Sequence, residues 1–349
     1  FTHWIGGMGV LVFILCLLPL TGGYHMNLMK AESPGPSVSK LVPKVQSTAK
    51  ILYTIYIILT IVEIIFLLIG KMPLFDTLCL SFGTAGTGGF GIKNDSIASY
   101  STYNQVVITV FMILFGINFN AYYLLLTKKV MQAAKNEEVR YYLGIIGLAI
   151  VAIAINTREM FTSFGRAFQQ AAFQVGSIIT TTGYATTDFN VWPVFSKTIL
   201  VILMFVGACA GSTGGGIKVS RLLILCKSAR KELQLYLHPN AVKKIKMDDK
   251  AIPHEVVRAT NMFLFVYIMI FVTSLLIISL DNLDMVSNFT AIAATLNNIG
   301  PGLGAVGPTG NFNTYSYISK AVMIFDMLAG RLEVFPLLLL FKRDTWRKF

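Results

Sequence analysis

Charge is scarce in this sequence. Asp, Glu, Lys and Arg together make up 13% of its 349 residues, against about a quarter in soluble domains. That shortage excludes an ordinary soluble fold. Cysteine is also rare. Cys16, Cys79, Cys209 and Cys226 lie in or beside apolar segments and none forms a CxxC pair, so neither a disulfide framework nor a zinc site is indicated. The four histidines, His3, His25, His238 and His254, show no ligand spacing. No nucleophile clusters with a base, which excludes a recognisable enzyme centre. A basic domain interleaved with aromatics is missing too, so the net charge of +12 does not describe a nucleic-acid surface. Phe1 opens directly into an apolar segment without a basic leader, so no signal peptide is expected here.

What the sequence has in abundance is apolar length. Hydrophobic residues make up 54% of the chain and mean hydropathy is +0.66. A membrane-spanning helix takes roughly 20 mostly apolar residues. The pattern predicts such segments at Trp4–Leu20, Ile51–Ile69, Val106–Thr127, Tyr141–Ile155, Thr198–Cys226 (interrupted), Met262–Leu280 and Ile318–Phe341. Basic residues gather at Lys40–Lys50, Lys128–Arg140, Lys218–Lys250 and Lys342–Lys348, while the alternate connections hold little beyond Lys71, Lys93 and Lys197. This asymmetry places the basic connections in the cytoplasm.

A unit repeats along the chain: apolar helix, shorter segment, glycine-bearing bend, second apolar helix, basic connection. It predicts a division into residues 1–50, 51–137, 138–250 and 251–349, the first holding only a second helix and its connection. The middle segments, 72–92, 161–188 and 285–304, are too short to cross a bilayer twice. Each is expected to be a re-entrant half-helix returning as extended chain. Irregular backbone at that depth survives only where protein buries it or where it lines a wet cavity.

The bends read "TGGF", "TTGY" and "NIGP", which puts Gly89, Gly183 and Gly300 in register. A dehydrating cation needs oxygens to replace its water, and backbone carbonyls supply them. Glycine gives the dihedrals that turn successive carbonyls inward. The candidate filter residues are therefore Thr87, Gly88 and Gly89; Thr181, Thr182 and Gly183; and Asn298, Ile299 and Gly300. Each half-helix aims its partially negative end at the loop. With no carboxylate preceding these glycines, a monovalent ion fits better than calcium or magnesium.

A further stretch, "GACAGSTGGGIKVSR" (207–221), interrupts the second helix of its unit. Close packing through small residues is one reading. A phosphate-binding loop is another, but Ile217 stands where the lysine belongs and no strand precedes it. The preferred reading is an intramembrane loop that obstructs passage, comprising Gly207, Ala208, Gly211, Ser212, Thr213, Gly214, Gly215 and Gly216. Arg331, within the last apolar segment, is expensive at that depth and is expected to act with this loop. Glu63 and Asp326 are expected to be structural hydrogen-bonding groups rather than ion-coupling ones.

With "FTHWIGGMG" (1–9), "ESPGPS" (32–37), "TTTGYATTDFN" (180–190), "NNIGPGLG" (297–304) and "GRLEVF" (330–335) added, the chain resembles the TrkH/KtrB-type potassium-uptake membrane subunits over nearly its whole length. The resemblance implies an all-α polytopic membrane protein with pseudo-fourfold helix–pore-loop–helix repeats in the bacterial plasma (inner) membrane. It implies potassium as substrate, no cofactor in this chain, and the 207–216 loop as gate. It also implies a homodimer and a cytosolic TrkA/KtrA-type regulatory ring binding NAD(H) or ATP/ADP. Because Phe1 begins at a second helix, the chain is expected to be an N-terminally incomplete part of a longer protein, the first filter loop lying upstream. A potassium symporter coupled to sodium or protons is the nearest alternative; the parallel sense of the repeats favours a pore.

Overall fold

Apolar runs bounded by capping residues set the elements of the computed structural model, which describes residues 1–9, 45–238 and 244–331. A short α1 (Thr2–Gly7) comes first. It is followed by α2 (Val45–Ile69), the shorter α3 (Leu74–Ala85) and α4 (Thr102–Phe115), which bends into α5 (Phe119–Leu126). The small α6 (Val130–Lys135) leads to α7 (Glu137–Asn156), α8 (Phe164–Ile179) and α9 (Val194–Val206). Next are α10 (Val219–Leu237), an antiparallel strand pair β1 (Lys246–Met247) and β2 (Lys250–Ala251), then α11 (His254–Ile278), α12 (Met285–Leu296) and α13 (Tyr317–Arg331). Most of the expected Trp4–Leu20 segment, the "ESPGPS" stretch, Cys16, His25 and the last apolar segment beyond Arg331 lie outside the described residues.

The helices associate in threes. In each of α2–α3–α4, α7–α8–α9 and α11–α12–α13, all three members touch one another. The trios are joined in series: α8 packs on α4, α12 packs on α9, and α3 packs on α1. The short middle helices α8 and α12 thus lean on the helix that closes the preceding trio.

The short helices contain 12, 16 and 12 residues, about 18–24 Å at 1.5 Å per residue. The hydrocarbon layer is about 30 Å thick, so none of them can cross it alone. Their starts follow from local chemistry. Ser163 Oγ accepts from the Arg166 N–H at 3.2 Å, and the Asp284 carboxylate accepts from the Ser287 N–H at 3.0 Å. The Ser287 side chain and N–H hold the Asp284 carboxyl below the ordinary aspartate range. Pro73 precedes α3 with a fixed φ of −54°.

Among the described residues, three helices, Thr48–Ile69, Glu137–Asn156 and the stretch His254–Asp281, are long and apolar enough to span a bilayer. Their outer faces carry apolar side chains where a soluble protein would carry charge: Leu148 is 77% and Leu276 67% exposed. Such faces belong in lipid.

The predicted single span Val106–Thr127 is corrected. The helix stops at Phe115 and resumes at Phe119 after a 91° bend. Gly116 and Asn118 provide the break. Asn118 Oδ1 caps the new helix by accepting from the Asn120 N–H at 2.9 Å.

Close backbone contact holds the last trio together. A Cβ at Gly330 would lie 1.8 Å from the Leu296 carbonyl oxygen, so α13 reaches α12 only through a glycine. Gly330→Val is expected to force the helices apart at a cost of about 1–3 kcal/mol. Thermal unfolding of the purified protein in detergent checks it, the expected outcome being a midpoint lowered by several degrees.

Candidate functional site

All three short helices end the same way. In α3, the Gly88 N–H donates to Gly83 O and the Thr87 N–H to Thr84 O, at 2.7 and 3.1 Å. In α8, the Thr182 N–H donates to Ser177 O and the Thr181 N–H to Ile178 O, at 2.9 and 3.1 Å. In α12, the Ile299 N–H donates to Ala294 O and the Asn298 N–H to Thr295 O, at 2.8 and 3.1 Å. These paired bonds form the Schellman cap, which turns the chain through one left-handed residue. That residue is Thr87, Thr181 or Asn298, with φ of 53°, 59° and 56°. Glycine normally takes this place, and a β-branched threonine there is strained. The strain is held in place by side-chain bonds described below.

Two residues further on, Gly89, Gly183 and Gly300 again have positive φ, at 65°, 84° and 106°. The loops meet at these glycines. A Cβ on Gly89 would sit 1.9 Å from the Thr182 carbonyl oxygen, and one on Gly183 would sit 2.0 Å from the Ile299 carbonyl oxygen. Among the described residues, no group lies within 4 Å of such a position on Gly300. The three loops line one open cavity of about 730 Å³, which also reaches His3, Met327 and Arg331.

The 207–218 segment lies against the ends of the short helices. Its neck is closed by glycines: a Cβ on Gly216 would lie 2.7 Å from Gly207 Cα. Ala208 O accepts from the Val219 N–H at 3.0 Å, so entry and exit run side by side. Within the loop, Ser212 Oγ donates to Cys209 O at 2.6 Å. Gly211 also takes a positive φ of 68°.

Contacts with the three loops are direct. Thr87 Oγ1 donates to Thr213 O at 2.9 Å, and the Gly215 N–H donates to Thr181 Oγ1 at 2.6 Å. Cβ atoms on Gly214 and Gly215 would crowd the Thr180 and Asn297 carbonyl oxygens, at 2.9 and 2.7 Å. Asn297 is itself fixed by the Tyr267 hydroxyl, which donates to Oδ1 at 3.0 Å.

The loop also joins the bend between α4 and α5. The Cys209 N–H donates to Gly116 O at 3.1 Å, the Thr213 N–H to Phe115 O at 3.4 Å, and the Phe119 N–H to Gly211 O at 3.0 Å.

Arg331 reaches the same point. Its guanidinium donates to Thr213 O at 3.0 Å and to Gly6 O at 3.3 Å. The sequence reading overlooked two other groups at this site. Lys218, only 2% exposed, donates through Nζ to Gly214 O. Glu138, 3% exposed, accepts from the Ala210 N–H at 2.6 Å and from the Ser220 N–H at 3.2 Å. Asn118 Nδ2 donates to its second oxygen at 3.2 Å. The signal for Glu138 was an acid at the start of a helix beside a basic cluster, which is equally the mark of a solvated first turn. Asp326 accepts from Ser274 Oγ at 2.8 Å, and Glu63 is fully buried.

Half-helices ending in glycine-bearing loops around one cavity, within lipid-facing helices, define a membrane transport protein. A family model for TrkH, a cation transport protein, matches residues 1–347. The chain is 37% identical over 351 residues to the Trk system potassium uptake protein TrkH of Salmonella typhimurium, covering 99% of this chain and 72% of that one. It is 39% identical over 355 residues to TrkH of Vibrio parahaemolyticus, covering 99% and 73%. The crystal structure of the potassium transporter TrkH from Vibrio parahaemolyticus superimposes with a TM-score of 0.85 at 35% identity, over 99% of this chain and 72% of that one. The chain belongs to the TrkH family of cation transport proteins; it is a transporter and not an enzyme.

Cys209 is wholly buried in the loop, so labelling of its thiol would detect a displacement of the loop. In protein with Cys16, Cys79 and Cys226 replaced by serine, Cys209 is expected to resist a water-soluble maleimide. Thr181→Ala removes the acceptor for the Gly215 N–H, a contribution of about 1 kcal/mol, and is expected to raise the labelling rate about fivefold. Mass spectrometry of the labelled protein checks this.

Proposed function

We propose that this chain conducts potassium inward across the bacterial inner membrane through a filter of backbone carbonyls, closed from below by the 207–218 loop. One observation carries the reading: three identically capped half-helices present Thr87–Gly89, Thr182–Gly183 and Asn298–Gly300 to a shared cavity, while Thr181 is turned to the 207–218 loop instead. The printed function of the relatives, potassium uptake, agrees with it. The serial packing of the trios supports a pseudo-fourfold arrangement in which residues 1–50, 51–137, 138–250 and 251–349 contribute successive quarters.

Potassium must exchange its water for oxygens at little net cost, and main-chain carbonyls do this without a carboxylate. Each half-helix adds a partial negative charge at its end. Every loop has one in-register glycine rather than a long run of ordered carbonyl rings, so discrimination against sodium is expected to be modest. Below the loops, Arg331 fixes a positive charge at the Thr213 carbonyl, which raises the barrier to a descending cation. Displacing the loop removes both the obstruction and the carbonyl that holds the guanidinium.

The basic connections face the cytoplasm and the filter mouth faces outward, an orientation that the charge distribution supports. Potassium is the substrate and the chain needs no cofactor of its own. The basic stretch from Lys227 to Lys250, beyond the buried Lys218 and Arg221, is the docking face for a cytosolic nucleotide-binding ring, and the subunit works as a homodimer.

Rubidium uptake with sodium competition, in cells lacking their own uptake systems, tests the reading. Gly183→Ala forces a Cβ onto the Ile299 carbonyl and is expected to lower potassium-over-sodium preference about tenfold or abolish uptake. Arg331→Ala, or deletion of Gly207–Gly216, is expected to raise flux several-fold. Undiminished uptake with unchanged ion preference in the first variant would overturn the filter assignment. Unchanged or lower flux in the others, at equal membrane levels, would overturn the gate.

A further inference from the structure

Glu138 holds the two ends of the 207–218 loop to one atom. Its Oε1 accepts from the Ala210 N–H at 2.6 Å and from the Ser220 N–H at 3.2 Å. Ala210 lies just inside the loop's entry and Ser220 in the first turn of α10, where helix N–H groups have no partner within the helix. Its Oε2 takes the Asn118 amide at 3.2 Å, and Asn118 caps the bend against which the loop is zipped. One carboxylate therefore joins the loop's start, the helix that follows it, and the broken helix beside it. Charge-assisted bonds of this kind are about twice as strong as neutral ones.

The helix that carries Glu138 is itself anchored from outside. Asp248 accepts from the Glu137 N–H at 2.7 Å and from Asn136 Nδ2 at 3.3 Å. Asp248 sits with Asp249 in the two-residue turn of the strand pair, both at positive φ of 49° and 61°, the conformation of a tight hairpin turn. Lys227 of α10 forms an ion pair with Glu137 at 2.5 Å and donates to Lys246 O at 2.8 Å. The first turn of α7 is thus clamped between the hairpin and α10, which leaves the Glu138 carboxylate little freedom to follow a moving loop.

We propose that Glu138 is the positioning residue that latches the 207–218 loop shut: releasing its Ala210 and Ser220 bonds frees the loop. The inference rests on the gate reading above and adds the group that sets the closed position. It assigns Glu138 no contact with the permeating ion.

The test compares Glu138→Ala, Glu138→Gln and deletion of Gly207–Gly216 in the full-length protein, with rubidium uptake, sodium competition and maleimide labelling of Cys209 as readouts. Alanine leaves three donors without their acceptor, and flux is expected to rise on the order of tenfold. Potassium-over-sodium preference should stay unchanged, because no filter atom is altered. Glutamine keeps an acceptor oxygen in place and should leak clearly less than alanine. In the intact-loop variants, Cys209 labelling should rise in parallel with flux; a merely structural defect would instead lower flux and blur ion preference. If loop deletion raises flux while Glu138→Ala does not, the latch is wrong and the gate stands. If neither raises flux, the gate reading fails and the latch with it. A glutamine variant as leaky as alanine would also overturn the latch as an acceptor.

Discussion

A backbone amide or carbonyl in an apolar layer must find a partner, and this structure is organised by how its broken segments meet that demand. Hydrocarbon offers no water, so an unpaired group costs several kcal/mol. Two helices break, at Phe115–Asn118 and at Gly207–Lys218, and each supplies what the other lacks. Cys209 and Thr213 donate to the carbonyls of Gly116 and Phe115, and Phe119 donates to that of Gly211. Neither interruption would be tolerable alone. Paired, they form a polar seam under the three half-helices.

The same demand explains the half-helix ends. A helix that stops midway exposes its last carbonyls, and the Schellman caps return N–H groups to part of that set. Two of the left-handed positions hold threonine, where glycine would be relaxed. Each hydroxyl has a task beyond the turn, since Thr87 donates to Thr213 O and Thr181 accepts from the Gly215 N–H. Backbone strain at these positions is exchanged for a contact with the 207–218 loop that glycine could not make.

Much of this was legible in the sequence, because periodic hydropathy and punctuating glycines report directly on helix ends. Gly89, Gly183 and Gly300 stood out as in-register residues, and all three have positive φ. The 207–216 interruption was equally visible, being too rich in glycine to continue a helix. The bend at Gly116–Asn118 was not, since isoleucine and phenylalanine around it keep the window apolar; only the tertiary partner makes the break stable. Glu138 and Lys218 escaped for a related reason. Both lie at helix starts near basic connections, where charge usually meets water, and nothing local shows that α10 and the loop bury them. A single sequence displays its own periodicity but not the atoms brought to it from a hundred residues away.

The pinched neck of the 207–218 segment has a mechanical meaning. Gly207 and Gly216 touch, and Ala208 is bonded to Val219, so the chain leaves α9 and enters α10 at nearly one point. In the gate proposed above, the length between those points would swing without changing the spacing of the two helices, as a flap turns on a single pin. The energy of such a movement would then fall on the loop's polar contacts, those with the Phe115–Asn118 break included, while the spacing of α9 and α10 need not change.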